Sequence, residues 1–397
     1  MQLRAGDSIE ITTERLAYGG EAVAHHEGLA IFVPLAAPNE RLRVRVIERK
    51  KNYARAVVES ILKPSPSRRE PPCQYFGSCG GCQLQHINYL AQLESKVGFV
   101  RDALERIGGV KWPHEIQIRH ARELEYRSRA QIKVDYDSRR IGFNRTSSTE
   151  ICDVKTCSVL VPELNEALQT IRRETGRSNP ENQSNTRSQI EIAAGDSGVT
   201  SEPATNGLQQ GYIQREIRGT TYRFGATTFF QANPWLLEEL VEDAVNNESG
   251  DVALDLYAGV GLFSLQLAKR FNRVIAVEAD HAAVEFARAN VAANGLVNIE
   301  FHRSAVESWI RELLKTSRIR ADLLLLDPPR GGASEALSGL IELGPSRITY
   351  VSCDPTTLAR DLRVLLVSGY EISRITALDL FPQTYHIETV VALVRTR

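Results

Sequence analysis

Residues Val252 to Asp280, VALDLYAGVGLFSLQLAKRFNRVIAVEAD, leave this chain few folds to choose from. A buried-strand pattern, VALDLY, turns through Gly259 and Gly261. It continues as a helical stretch, LFSLQLAKRF, and returns as RVIAVEAD, which ends in an acid. Parallel strands in one sheet need a crossover of this kind, so the stretch predicts a βαβ unit. The glycines allow a tight turn and a close approach of backbone to ligand, which a side chain would block. Glu278 lies 19 residues beyond Gly259, where an acid commonly holds ribose hydroxyls. Ser264 stands where a dinucleotide fingerprint wants a third glycine or alanine. The unit alone therefore predicts a nucleoside-cofactor site of unspecified kind. Asp255, a carboxylate inside the first strand, is what a crossover without a ligand explains least well.

The same alternation runs to the end of the chain. IEFHRSAVESW, ADLLLLDPPRGG, RITYVSCDPTTLARDL and EISRITALDLFPQTYHIETVVALVRTR follow in turn. Strand after helix after strand predicts an α/β, Rossmann-like, doubly wound domain over 216–397. Ligands in such sheets sit beyond the carboxyl ends of the strands, and Tyr257, Glu278, Asp327 and Cys353 fall there. TYRFGATTFFQANPWLLEELVEDAV opens this part as a strand, a polar turn and a helix with Pro234 near its first turn.

Residues 1–63 read differently. Short alternating stretches separated by turn signals such as Gly19-Gly20 make about five strands, which favours a small OB-like β-barrel. Arg41 to Arg69 holds ten Lys or Arg against two acids, with Tyr53 among them. That edge suits a nucleic-acid backbone, or else is a solvated strand face. Net charge is −1, so a polyanion must be held by local patches rather than global attraction.

After the Pro-rich KPSPSRREPP comes a central part, 64–215, which opens on CQYFGSCGGCQLQHI. Cys73, Cys79 and Cys82 put three thiols on one glycine-containing loop, and Cys152 or Cys157 can supply a fourth. The pattern fits an iron–sulfur cluster, and a tetrahedral zinc site is chemically open too. HINYLAQLESKVGFVRDALERIGG has helical spacing and stops at Gly108-Gly109. EYRSRAQIKVDY and IGFNRTSS read as two strands joined by a turn, in a segment with eight Lys or Arg against four acids from Arg119 to Arg145. Residues 174–211, rich in Ser, Asn, Gln and Gly with only QIEIAAG strand-like, read mostly as a mobile loop or insertion. No apolar run approaches membrane-spanning length and the start lacks a signal-peptide core, so the expectation is a cytoplasmic protein with no membrane partner. Six cysteines without a secretion signal argue against a disulfide framework.

Cys353, in YVSCDP, sits at a strand end before a helix start, where helix N–H groups can stabilise a thiolate. A lone cysteine is more often a small buried residue; strand-end placement beside a cofactor motif makes this one a candidate nucleophile. Arg330 follows Asp327-Pro328-Pro329, where amino-group methyltransferases carry an aromatic and RNA 5-methylcytosine methyltransferases a cysteine.

The D-x-Y-x-G-x-G form resembles the first motif of S-adenosylmethionine-dependent methyltransferases. More specifically, LDLYAGVG, LDPPRGG, VSCDPTTLARDL and HIETV occur in the order and spacing of the RNA uracil-C5 (5-methyluridine) methyltransferase family. With the TRAM-like barrel and the cysteine loop, the resemblance to its iron–sulfur-containing 23S ribosomal RNA type covers nearly the whole chain. It implies S-adenosyl-L-methionine and a [4Fe–4S] cluster as cofactors. Cys73, Cys79, Cys82 and Cys157 would be the cluster ligands, leaving Cys152 as a small core residue. It further implies Cys353 as nucleophile, Glu388 as base, and Gln231, Tyr257, Glu278 and Asp327 as cofactor-site residues. Without the resemblance, Gln231 reads as a helix cap and Glu388 as a surface carboxylate beside His386. The family usually has Asn where this chain has Asp354, and often Cys where it has Ala258. The implied partner is RNA, ribosomal rather than transfer RNA, met by a monomer. The competing reading is a non-catalytic RNA-binding cluster protein with a decayed methyltransferase fold.

Overall fold

The computed structural model describes residues 3–177, 187–245, 248–316 and 319–396. At the N-terminus, β1 (Ser8–Thr12), β2 (Arg15–Leu16), β3 (Ala22–His26), β4 (Leu29–Val33), β5 (Arg41–Arg49) and β6 (Tyr53–Lys63) form one curled sheet in the order β1-β5-β6-β4-β3-β2. There are six strands here rather than about five, for local reasons. Thr13 interrupts the first predicted stretch: its N–H donates to the Glu40 carbonyl and its hydroxyl to that of Ala37. Glu27 and Gly28 both have positive φ, 48° and 79°, the tight hairpin geometry that splits β3 from β4. Along β5, Leu42, Val44 and Val46 are buried while Arg41, Arg43 and Arg45 point out, as a period of two requires.

Helix α1 (Tyr89–Ala103) is capped by the Asn88 side chain, widens into a π-turn over Leu104–Gly108 and ends at Gly109 with φ 68°. Strand β7 (Gln117–Arg119) follows. A five-stranded sheet comes next, built from β8 (Arg129–Asp135), β9 (Arg140–Asn144), β10 (Ile151–Asp153), β11 (Arg187–Gly195) and β12 (Gly198–Glu202) in the order β10-β9-β8-β11-β12. Helix α2 (Pro162–Arg177) covers it, packing Leu164, Leu168 and Ile171 against Ile132 and Ile192. Thus 174–211 is not mostly loop: β11 and β12 occupy much of it, while the part at 178–186 lies outside the described residues. Its polar residues misled because they lie on the outer face, where Gln131 donates to Glu191 across the ladder.

The hairpin β13 (Tyr212–Ile217) and β14 (Thr220–Gly225) leads through Pro234 into α3 (Leu237–Val245). Then come β15 (Gly250–Leu256), α4 (Ser264–Leu267), β16 (Phe271–Glu278), α5 (His281–Ala293), β17 (Ile299–Arg303), α6 (Val306–Thr316), β18 (Leu323–Leu326), α7 (Leu337–Leu343), β19 (Arg347–Ser352), α8 (Pro355–Val367), β20 (Tyr370–Leu378) and β21 (Glu388–Arg395). Their sheet runs β17-β16-β15-β18-β19-β21-β20-β7. Strands β15 to β19 are parallel and β21 is antiparallel to both neighbours. Apolar layers cover both faces, so β18 is four buried leucines in succession. Only four residues of LFSLQLAKRF form α4. The rest is turn, because the chain must re-enter the sheet at Phe271, and the Gln266 side chain is held by Thr220 and Tyr222.

Strand β7 lies within the 64–215 segment, yet it completes the edge of this sheet beside β20. Helix α1 and the π-turn after it also pack on it, through Val100 and Leu104. Lys96 of α1 is fully buried, its Nζ 2.5 Å from Asp379 and 2.9 Å from the Phe381 carbonyl. Burial pulls its pKa down and the Asp379 carboxylate holds it up.

Candidate active site

The strand order sets five side chains along one edge of the sheet. Leu256 pairs with Val277 on one side and Leu326 on the other, so Tyr257, Glu278 and Asp327 emerge together. Leu326 pairs with Tyr350, and the Asp327 N–H donates to the Leu256 carbonyl. Ser352 faces Thr389 across the antiparallel pair, which brings Cys353, the residue after β19, beside Glu388, the first of β21. The strand order reverses between β16 and β18 about β15, and a crevice at such a switch point is where this sheet type takes ligands.

The glycine turn is built for close approach. Gly261 has φ 90°, and a Cβ there would come within 2.7 Å of Leu265. Tyr257, at φ 63°, holds the left-handed conformation that side chains rarely adopt; its hydroxyl donates to Glu307 at 3.0 Å. The Gly259 and Asp280 N–H groups each donate to the Glu278 carboxylate at 2.8 Å. Gln231 is buried in the loop between Phe230, stacked on Phe224 at 4.1 Å, and Asn233, which donates to the Leu380 carbonyl at 3.2 Å. Asn233 rather than Gln231 caps the following turn.

Carboxylates crowd the crevice. Asp255 is fully buried; Ser264 donates to one of its oxygens and the other has no hydrogen-bond partner among the described residues. Burial raises Asp255 to about 7. Burial, with the charge of Asp255 added, raises Asp327 to about 7. Glu388, 2% exposed and so not a surface carboxylate, is pushed well up by burial and then by Asp327. Its Oε1 has no hydrogen-bond partner among the described residues. Burial and mutual repulsion favour the neutral forms of these carboxyl groups, and a cationic ligand would reverse that balance.

Cys353 is partly buried and pushed up to about 12, by burial first and then by Glu388, Asp327 and Asp354, with Arg330 opposing. Asp354 caps α8, accepting from the Thr356 and Thr357 N–H groups at 2.8 and 3.1 Å. Arg330 reaches His386 at 3.3 Å. Burial and then Arg330 lower His386 to about 4, so that ring is neutral at physiological pH.

A second cluster lies in the central part. Cys73, Cys79, Cys82 and Cys157 line one small cavity with Tyr75 and Phe143. Cys152 does not line it; it is buried in β10 opposite Phe143. The spacing alone leaves either cysteine open as a fourth; of the two, it is Cys157 that lines the cavity. Gly80 donates to the Asn144 carbonyl at 3.0 Å and Asn165 accepts from the Cys157 N–H at 2.8 Å, tying both sides down. Burial, with the other thiols adding, raises Cys79 to about 11 and Cys82 to about 12. Among the described residues no group of three or more His, Cys, Asp or Glu has the arrangement of a metal-ion site.

Two features had little sequence signal. Asp255 stood out only as a charge inside a strand, with no role to give it. Tyr18, on the Gly19-Gly20 turn, donates to Asp354 at 3.2 Å across 336 residues. Among the described residues, no helix is long and apolar enough to cross a membrane.

Residues 205–396 match the family described as tRNA (Uracil-5-)-methyltransferase, and residues 2–58 match the TRAM domain. An uncharacterized RNA methyltransferase of Aquifex aeolicus is 33% identical over 97% of this chain and 98% of its own. The 23S rRNA (uracil(1939)-C(5))-methyltransferase RlmD of Klebsiella pneumoniae is 34% identical over 98% of this chain and 96% of its own. Among solved structures, the Pyrococcus abyssi tRNA (uracil-54, C5)-methyltransferase in complex with S-adenosyl-L-homocysteine is similar at a TM-score of 0.75. It is 26% identical, over 97% of this chain and 100% of that one.

Proposed function

The chain belongs to the RNA (uracil-5-)-methyltransferase family and uses S-adenosylmethionine, and on that premise we propose that it methylates C5 of a uridine in 23S ribosomal RNA through a covalent cysteine adduct. The observation that carries this reading is the pairing of β19 with β21, which sets Cys353 beside Glu388 with Asp327 at the next strand end. Uracil C5 is too weak a nucleophile to take a methyl group from a sulfonium unaided. The Cys353 thiolate adds to C6, and the C5–C6 π electrons pass into an enolate. C5 then attacks the methyl carbon, whose bond to sulfur breaks to leave a neutral thioether. Glu388 takes the C5 proton, the enolate re-forms, and the C6–S bond breaks to release thiolate and product. Gln231, Tyr257, Glu278 and Asp327 hold the methyl donor. A positively charged methyl donor held in this crevice would favour the charged forms of Asp327, Glu388 and Cys353 that burial opposes. The target uridine must leave its stack to reach this crevice.

The RlmD relatives support ribosomal RNA and, by their names, the uridine corresponding to 1939; the Pyrococcus structure favours transfer RNA as the second reading. Mapping 5-methyluridine in both RNAs from cells with and without the gene tests this. Loss from ribosomal RNA alone is expected, and loss from transfer RNA alone would establish the second reading.

Cys73, Cys79, Cys82 and Cys157 would hold a [4Fe–4S] cluster. Burial and neighbouring thiols disfavour the thiolates of Cys79, Cys82 and Cys157, and a polycationic centre would remove that cost. The ligands of a polynuclear cluster each take a different iron and need not converge on one point as those of a single ion must. A cluster there would supply iron–thiolate bonds tying 73–82 to Cys157. Anaerobically purified protein should be brown, and serine at any of the four positions should bleach it, whereas Cys152→Ser should not. Stoichiometric zinc without iron would overturn the assignment.

The outer face of β5 would grip phosphates. Arg41 and Arg43 pair with Glu10 at 2.8 and 3.0 Å and Arg45 with Glu59 at 3.4 Å, largely exposed pairs that open at little cost. Neutralising Arg43, Arg45 and Lys51 together should weaken RNA binding and reduce the slope of log affinity against log salt by roughly two. Methyl transfer at saturating RNA should persist. An unchanged slope would return these residues to a solvated face.

A further inference from the structure

The Gly19-Gly20 turn of the N-terminal domain reaches the catalytic strand end. Between β2 and β3 the chain reverses within Ala17–Glu21: Ala17 donates to the Glu21 carbonyl and Gly20 to that of Ala17, both at 2.9 Å. Gly20 has φ 88°, and a Cβ there would lie 3.2 Å from Gln83, 3.4 Å from Leu84 and 3.8 Å from Tyr385. The turn is therefore wedged between the segment after Cys82 and the segment that leads to Glu388. This delivers Tyr18, whose ring sits edge-on to Phe99 of α1 at 6.0 Å and to Tyr385 at 5.3 Å. Its hydroxyl donates to Asp354 Oδ2 at 3.2 Å. The other oxygen, Oδ1, is already occupied by the first turn of α8.

We propose that Tyr18 is a positioning residue for the nucleophile: by holding Asp354 Oδ2 it fixes the turn that presents Cys353 and draws carboxylate charge away from the thiol. The N-terminal domain then contributes to chemistry as well as to RNA binding. The proposal rests on the reading of Cys353 as the nucleophile. Asp354 is where the arrangement matters most, since the family usually has a neutral Asn there. A carboxylate one residue from a thiolate disfavours ionisation, and a donor on that carboxylate spreads the charge. Burial and the neighbouring Asp354 keep the Tyr18 phenol protonated, so it remains a donor. The other groups around Cys353 are Glu388 from β21 and Asp327 and Arg330 from the loop after β18, with His386 facing Asp354.

The test uses full-length protein, S-adenosylmethionine and RNA carrying 5-fluorouridine, whose C5–F bond leaves no proton to remove and so traps the adduct. The rate of adduct formation is measured against pH, alongside RNA affinity. Tyr18→Phe keeps both ring contacts and removes only the hydroxyl. Its pH profile should move to higher pH, with trapping roughly three- to tenfold slower at neutral pH and RNA affinity unchanged. Asp354→Asn should move the profile to lower pH, and adding Tyr18→Phe to it should move the profile no further. A Tyr18→Phe profile that coincides with wild type overturns the proposal, whether or not RNA binding weakens. So does an equal shift in the Asp354→Asn background. Adduct formed by Cys353→Ala would instead overturn the nucleophile itself, a separate result.

Discussion

Glu388→Gln protein mixed with S-adenosylmethionine and substrate RNA should accumulate a methylated enzyme–RNA adduct that survives denaturing electrophoresis. The amide is nearly isosteric and leaves Cys353 and the cofactor crevice in place, so addition and methyl transfer still occur. Elimination stalls, because an amide is a far poorer proton acceptor than a carboxylate. Turnover should fall by about a thousandfold, within the usual range for a general base. The buried setting adds to the contrast: Glu388 adjoins Asp327, and the amide removes one of two mutually repelling charges. Addition is then as fast as in wild type or faster while release fails. The adduct should vanish when Cys353 is also changed. Turnover at nearly the wild-type rate would place the base elsewhere.

The second large effect is that of Cys353→Ala, which cannot form the enolate. Methyl transfer should drop by about ten-thousandfold or more, with no adduct on either ordinary or 5-fluorouridine RNA. RNA and S-adenosylmethionine binding should persist, since the side chain is small and partly exposed. In wild type the sign of the pH dependence follows from the thiol itself. Burial and surrounding carboxylates push Cys353 up to about 12, so the thiolate fraction rises with pH across the neutral range. Below the thiol's pKa, thiolate addition to C6, read without the methyl donor as exchange of the uridine C5 hydrogen with solvent, should therefore rise about tenfold per pH unit. With S-adenosylmethionine bound, its positive charge should lower the thiol pKa and bring the curve to lower pH. A flat profile under both conditions would mean that thiolate formation does not limit the reaction.

Several parts of this protein are legible in its sequence alone because they depend on neighbours in the chain. The glycine turn after VALDLY, the alternation along RLRVRVIER, and a cysteine followed by an acid and a proline at a helix start are local patterns. Backbone sterics, side-chain periodicity and capping chemistry express them wherever they occur. They fixed the α/β domain, the curled N-terminal sheet and the residues at the strand ends. Where the reading missed, distance in sequence was the reason. Within 187–202 only QIEIAAG looks strand-like, because the polar side chains around it find partners only once β11 lies beside β8 and β12 beside β11. The helix after Gly261 is short because β16 must be reached at once, a demand set by the sheet. Spacing alone does not separate Cys157 from Cys152; the family resemblance favours Cys157, and the fold places Cys157 in the cavity and Cys152 in β10. The closeness of Asp255, Asp327 and Glu388 arises from strand order, and burial raises all three. The contact of Tyr18 with Asp354 joins residues 336 apart, through a two-glycine turn whose destination nothing local specifies. Local chemistry thus determined which groups the chain carries, and non-local packing decided which meet and how far water is kept from them.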